Sequence, residues 1–413
     1  MITRQSTSPV CRTFALPRRG WLLGLVSTVL FLTACAGRVV THPIPDPLLR
    51  ADGSRITRAA EWNEGPREAL LATFEREIYG RTPSTGVTLT AEVREDVVVE
   101  AKRVRRKQVR LTFRSEFGSA AADLLLYVPA DARGPVPVFL GLNTGGNWTI
   151  STDPGIFASA GRKRGRHERR WPVEFVTQQG SAIATLCCDD FFPDKDVASY
   201  PQSMQRLFPP DQRGPGSDRW GAIATWAWGL SRAMDYLVTD PLVDASRVAV
   251  IGHSRLGKAS LWAGARDTRF ALVIANNSGC GGAALSKRIA GETVRAINTG
   301  FPHWFAGNFR AYNDREEALP VDQHQLVALV APRAVAVGSA SQDAWADPIG
   351  ERLGLELAEP VFALFGAPPF AAPATTPGRR LNYHIREGEH DILLADWQEY
   401  LRFAEQVWGR PGK

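Results

Sequence analysis

Five short runs in which nearly every residue is apolar, at 136–142, 182–186, 248–251, 272–275 and 334–337, alternate along the 413-residue chain with helical patterns at 220–237, 258–265, 323–329 and 397–407. A strand with one wet face alternates polar and apolar residues, so runs lacking that alternation are expected to be buried on both faces. Covering both faces takes helices on both sides. The alternation therefore predicts an α/β protein with a mostly parallel, doubly wound sheet, a three-layer αβα sandwich. Ahead of it, period-two runs at 87–93, 109–113 and 124–128 predict antiparallel strands opening the sheet. Ala69, Leu70, Phe74 and Ile78 are spaced for an amphipathic helix over 66–79, with Pro66 at its start. In such sheets the chemistry gathers at the carboxyl ends of the strands.

A hydrophobic content of 44% with 22% charged residues suits a globular chain, and 50–413 is assigned to a single catalytic domain. The formal charge of +6 invites a nucleic-acid partner, but Arg4, Arg12, Arg18 and Arg19 lie in the first 34 residues, which hold no acid. The remainder is nearly neutral, and no nucleic-acid partner is expected. Arg18 and Arg19 precede an apolar stretch at 21–32, too short to span a bilayer, that reads as the core of an export signal over 1–34. It ends in Leu32-Thr33-Ala34-Cys35, which resembles a bacterial lipobox, with an ordinary secretory signal as the alternative. The expectation is export, a lipid on Cys35, a tether over 35–49 rich in turn formers, and residence at the outer membrane, in the periplasm or on the cell surface. Cys187, Cys188 and Cys280 remain after processing; one disulfide between Cys280 and the vicinal pair, or three buried thiols, are both open.

The run at 248–267, VAVIGHSRLGKASLWAGARD, passes from a strand pattern through a tight corner into good helix formers, with Ser254 at the apex. A serine there is either a helix N-cap or the nucleophile of an elbow that exposes its hydroxyl beside free backbone N–H groups. The common elbow pattern is G-x-S-x-G; here Leu256 holds the second glycine's place and Gly257 follows. Such a serine needs a histidine base and a carboxylate behind it. In the usual order of nucleophile, acid and histidine, the base is His384 or His390; His384 falls inside an apparent strand, and His390 follows Gly388 in a loop. Asp343, after the 334–337 run, stands where such a fold places its acid, with Asp347 as its rival and a helix cap as the other reading of Asp347. His303 and His324 read as structural, and His253 is expected to pack beneath the serine.

The string Gly252-His253-Ser254-Arg255-Leu256-Gly257-Lys258 is similar to the G-x-S-R-x-G-K motif of the glucuronoyl esterases, carbohydrate esterase family 15. Further stretches in the same order carry the resemblance: GLNTGGNWT at 141–149, WGAIATWAWGLSRAMDYL at 220–237, NNSGCGGAAL at 276–285, GETVRAINTGFPHWF at 291–305, LPVDQH at 319–324, QDAWADPIGE at 342–351 and EGEHD at 387–391. The resemblance implies an α/β-hydrolase fold and hydrolysis of glucuronic or 4-O-methyl-glucuronic acid esters, such as those joining glucuronoxylan to lignin in plant walls. It implies Ser254 as nucleophile, His390 as base and Arg255 as oxyanion stabiliser, with Lys258, Glu292 and Trp345 on the sugar. No metal or cofactor is expected, and the protein is expected to act as a monomer.

Two departures stand out. Many members carry a glutamate after the strand that follows the nucleophile helix, and Asn277 stands there instead; an amide cannot give the same electrostatic help. A glutamine that many members use falls on Ala284, with Arg288 as the candidate substitute. The basic run RKRGRHERR at 162–170 reads first as a solvated loop and second as a dock for an acidic polysaccharide. Two other functions stay open: a serine esterase of different specificity, such as a polysaccharide deacetylase, and a lipoprotein that binds uronate glycans without turnover.

Overall fold

The computed structural model describes residues 39–50, 52–83, 85–159 and 161–409. The stretch expected to be an export signal, 1–34, and Cys35 lie outside them. The strands run in chain order as β1 (Val40–Thr41), β2 (Thr88–Val99), β3 (Val104–Ser115), β4 (Gly118–Pro129), β5 (Val136–Asn143), β6 (Ala182–Cys187), β7 (Val243–His253), β8 (Leu272–Asn276), β9 (Arg288–Ile289), β10 (Ala334–Ala340) and β11 (Leu381–Arg386). Nine strands of the described residues form one sheet in the order β11-β10-β8-β7-β5-β6-β4-β3-β2. The first six of that order are parallel and the last three antiparallel, with β6 pairing parallel to β5 and antiparallel to β4. The opening strands are longer than their period-two cores, and β2 carries a bulge between Val93 and Glu95.

Every residue of β5, β6, β8 and β10 is buried, as unbroken apolar runs require. Alternate side chains serve the two faces. Val138 and Leu140 pack with the helices Ala222–Leu237 and Arg255–Arg266, while Phe139 packs on the other side with Trp397 and Tyr400 of the helix Leu394–Trp408. The helix expected over 66–79 is regular over Pro66–Phe74 and widens into a π turn at Glu75–Tyr79. Part of the expected tether is docked instead: β1 pairs with β9, Leu48 is buried, and the Pro45 carbonyl accepts a hydrogen bond from His324 Nε2. Cys187, Cys188 and Cys280 are buried free thiols.

The sharpest point of the chain is the turn from β7 into Arg255–Arg266. Ser254 sits at φ 59°, a left-handed conformation that costs a non-glycine residue energy. Its N–H donates to the Asn276 carbonyl at 2.8 Å, which pins the corner to the end of β8. Gly252 is required for the turn to close, because a Cβ there would stand 2.0 Å from the Leu256 carbonyl oxygen. Gly252→Ala is accordingly expected to lower the unfolding free energy by about 2 kcal/mol or more. Gly300→Ala, whose Cβ meets nothing within 4 Å, should stay within about 0.5 kcal/mol of the parent; urea titrations of the two variants check this.

Candidate active site

Four neighbouring strands deliver the site in the order in which they lie. His390 follows β11, Asp343 follows β10, Asn277 follows β8 and Ser254 follows β7, all at the carboxyl edge of the sheet. The first backbone N–H groups of Arg255–Arg266 lack intrahelical acceptors and border the same space. Ser254 makes no side-chain capping bond, so the corner does not use its hydroxyl to start the helix. That hydroxyl has no hydrogen-bond partner among the described residues, and it lines two cavities that His390 and Arg255 also line.

His390 Nδ1–H donates to Asp343 Oδ2 at 2.5 Å, which leaves Nε2 unprotonated for the serine proton. The same carboxylate oxygen accepts from Asn277 Nδ2 at 2.8 Å, and Asp343 Oδ1 accepts from the Ala346 N–H at 3.2 Å. Burial alone would raise the Asp343 carboxyl, but the bonds from His390 and Asn277 outweigh it and hold the group below its ordinary value. Asn277, held at φ 46°, thus acts on the acid as a donor rather than replacing it as a charge.

Asp347 is elsewhere. It stands at the start of the helix Pro348–Ala363 without making a capping bond, and its carboxylate is taken by Arg288. This pairing also takes Arg288 away from the cavity that holds Lys258 and Glu292. His384 is bound to Asp396 at 2.9 Å beside Arg386, and His303 to Asp194 at 2.9 Å. His253 lies against His390, ring centroids 4.6 Å apart, and its Nδ1–H donates to Asn276 Oδ1 at 2.7 Å. Burial and the neighbouring imidazole push His253 down to about 3, so it stays neutral.

The smaller cavity, about 220 Å³, runs from Ser254 to Lys258, Glu292, Trp304 and Trp345. Lys258 Nζ donates to the Ser278 carbonyl at 2.7 Å and lies 3.5 Å from Glu292, so the two charges balance in a nearly buried place. Glu292 is brought there by Gly291, whose missing Cβ lets the chain pass the Trp345 carbonyl; the Glu292 N–H donates to that carbonyl at 2.8 Å. Trp345 is 59% exposed, and its ring forms an apolar wall at the mouth.

Asp194 was not foreseen from the sequence. It accepts from His303 Nε2 and Trp304 Nε1 and pairs with Arg255, whose guanidinium lies 5.2 Å from the Trp304 ring centre. Burial opposes its ionisation, but these bonds bring the carboxyl down to about 2. Asp194 therefore aims Arg255 across the site. Nothing in the local pattern around Asp194 marks it, because its partners come from 61 residues or more away. The basic run is likewise more than a solvated loop: Arg169 and Arg170 clamp Asp391, the neighbour of His390.

A family profile described as glucuronyl esterase, fungi, matches residues 215–366. The chain is 43% identical over 398 residues to carbohydrate esterase MZ0003 from an unknown prokaryotic organism, covering 89% of this chain and 90% of that one. It is 27% identical over 388 residues to 4-O-methyl-glucuronoyl methylesterase 1 of Wolfiporia cocos (strain MD-104), covering 88% and 82%. Its structure is similar to that of a glucuronoyl esterase from Solibacter usitatus, with a TM-score of 0.82 at 41% identity, over 90% of this chain and 99% of that one.

The two aspartates are separable by substitution. Asp343→Asn is expected to cut ester turnover about a thousand- to ten-thousandfold with the fold intact. Asp347→Asn should leave turnover within about tenfold while lowering the melting temperature, because the largely covered Arg288 then loses its counter-charge. Steady-state rates alongside thermal melts give both answers.

Proposed function

This chain belongs to carbohydrate esterase family 15, the glucuronoyl esterases, and we propose that it hydrolyses esters of glucuronic or 4-O-methyl-glucuronic acid through an acyl-enzyme on Ser254. The observation that carries the mechanism is the His390–Asp343 pair beside a serine held in a left-handed turn. Ser254 Oγ attacks the ester carbon as His390 Nε2 takes its proton. The developing oxyanion faces the Arg255 N–H and its guanidinium, which Asp194 holds in place. The bond from the acyl carbon to the alcohol oxygen then breaks, and His390 returns the proton to the departing alcohol. Water, deprotonated by His390, attacks the acyl-enzyme, and Ser254 recovers its proton as the uronic acid leaves.

A uronoyl group carries a ring of hydroxyls and one apolar face. Lys258 and Glu292 offer a donor and an acceptor, and the Trp345 ring offers a surface for that face. Supporting the substrate is the name of the fungal relative, a 4-O-methyl-glucuronoyl methylesterase. In plant wall the corresponding bond is the ester between glucuronoxylan and lignin. The enzyme works as an exported monomer tethered to the outer membrane by lipid on Cys35, a reading supported by the apolar stretch at 21–32 and the Leu32-Thr33-Ala34-Cys35 sequence.

Incubation of the soluble chain from residue 38 with benzyl glucuronate should give turnover that Ser254→Ala abolishes, with a serine-bound uronoyl adduct visible by mass spectrometry after rapid quenching. Turnover of acetylated xylan but not of the glucuronate would move the assignment to a deacetylase, and glycan binding with no turnover of either would make it a binding protein. For the anchor, Cys35→Ser in the full-length chain should abolish incorporation of labelled palmitate and release the protein from the membrane fraction. A label unchanged by the substitution would place the lipid elsewhere, and a parent chain that takes up no label would remove the lipid from the account.

A further inference from the structure

Two basic runs lie on this chain, and the fold treats them differently. Around the turn from β2 into β3, every cation of 102–110 meets an acid, from Lys102 with Glu174 to Arg110 with Asp123. In the loop 161–170, Arg169 and Arg170 neutralise Asp391, but Arg162, Lys163, Arg164 and Arg166 form no ion pair among the described residues. The one acid of that run, Glu168, accepts instead from the Thr152 N–H and hydroxyl.

This loop is not free to scatter its charges into water. The Gly165 N–H donates to the Trp148 carbonyl at 3.0 Å and the His167 N–H to the Thr149 carbonyl at 2.7 Å. Arg164 turns inward to the Asp153 and Ile156 carbonyls at 3.2 and 2.8 Å. Arg162, Lys163 and Arg166 are left exposed on the outside of this pinned frame. The Arg162 guanidinium stands 5.7 Å from the Trp148 ring centre, and Arg166 Nη2 rests on Gly145, 2.9 Å from where a Cβ would stand. Like charges held together repel, and no described acid offsets that cost. The field reaches His167, whose imidazole is held below its ordinary value by burial and by the cations of Arg166 and Arg170.

The patch borders the catalytic entrance. His167, next to Arg166, and Thr144, next to Gly145, both line the larger of the two cavities at Ser254. A membrane or a folded protein seated on these cations would cover that mouth, whereas a substrate chain would be brought to it. Guanidinium forks match carboxylates, and the half-buried Trp148 ring offers an apolar surface to a sugar face.

We propose that Arg162, Lys163 and Arg166 form a docking surface for a polyanionic glycan, a chain whose unesterified uronate groups pair with these cations while an esterified one occupies Ser254. The inference rests on the function proposed above and adds that free uronates near the ester promote its hydrolysis. The patch acts on capture of the polymer, and so on kcat/KM, and takes no part in the ester chemistry.

Partially methyl-esterified glucuronoxylan and methyl glucuronate share the reacting ester, so damage to the catalytic centre divides out of the polymer-to-monomer ratio of kcat/KM. In the full chain, Arg162→Glu combined with Arg166→Glu is expected to lower that ratio at least tenfold at about 10 mM salt, and by less than about twofold at about 1 M salt, where surface charges are screened. Arg114→Glu combined with Arg133→Glu makes an equal change of net charge at exposed positions outside the loop and should leave the ratio within about twofold. De-esterified glucuronoxylan should bind the parent at low salt and lose that binding with the first pair of substitutions. A ratio unmoved by the first pair, or lowered equally by the second, overturns the docking surface and leaves the glucuronoyl esterase reading standing. Loss of binding to phosphatidylglycerol vesicles with an unmoved ratio also overturns it, in favour of a membrane. If the parent hydrolyses neither ester, the esterase reading fails and the de-esterified chain alone decides the surface: bound by the parent and lost with the first pair it stands, and otherwise it falls.

Discussion

One carboxylate oxygen, Asp343 Oδ2, carries the catalytic arrangement. It accepts from His390, which follows β11, and from Asn277, which follows β8, while Asp343 itself follows β10. Three strand ends are thereby held to a single point, one strand away from the Ser254 corner. Because the oxygen is buried and doubly bonded, the ring of His390 has one orientation and one tautomer. The Ser254 N–H then ties the nucleophile to Asn276, next to Asn277 in the chain. The site is a set of strand ends cross-linked by hydrogen bonds, and its precision comes from the sheet beneath it.

A second buried carboxylate supports the same place from below. Glu351 accepts from the N–H groups of Ser278 and Gly279 and from the hydroxyls of Ser278 and Ser339. Burial pushes it up to about 7 against these four donors. Its folded value lies above the ordinary carboxyl value, so the folded state holds the proton more tightly. This group's contribution to stability is present at acid pH and is lost as the pH rises through about 7. Glu351 keeps the backbone after β8 from relaxing, and with it the donor of Asn277.

The parts legible in the sequence were those written in local pattern. Unbroken apolar runs announced β5, β6, β8 and β10, because burial on both faces leaves a mark on every residue. The corner at Ser254 was legible because a strand, a glycine and a helix must be contiguous to make it. Asp194 and the Arg169–Asp391–Arg170 clamp left no such mark, since each joins residues far apart in the chain. Asn277 shows a subtler limit. Judged by residue type it weakens the site; judged by where its Nδ2 points, it holds the acid in place. Asp343 and Asp347 are both acids after β10; position in the chain favoured Asp343, and the fold shows why, since Asp343 meets an imidazole and Asp347 a guanidinium.

The sheet ends on β2, a strand of twelve residues with its outer row of backbone groups unpaired within the described residues. A flat edge of that length is a template on which a second chain can add itself. Here the bulge at Val93/Glu95 breaks the row near its middle. Around the break, Arg94 lies across the Phe157 ring, Glu95 is drawn to Arg106 and Asp96 to Arg105. An incoming strand would have to match the kink and strip charged side chains of their partners. The β2 edge of the sheet is thereby guarded against edge-to-edge aggregation, so chains at high local concentration are kept from knitting into fibres through it.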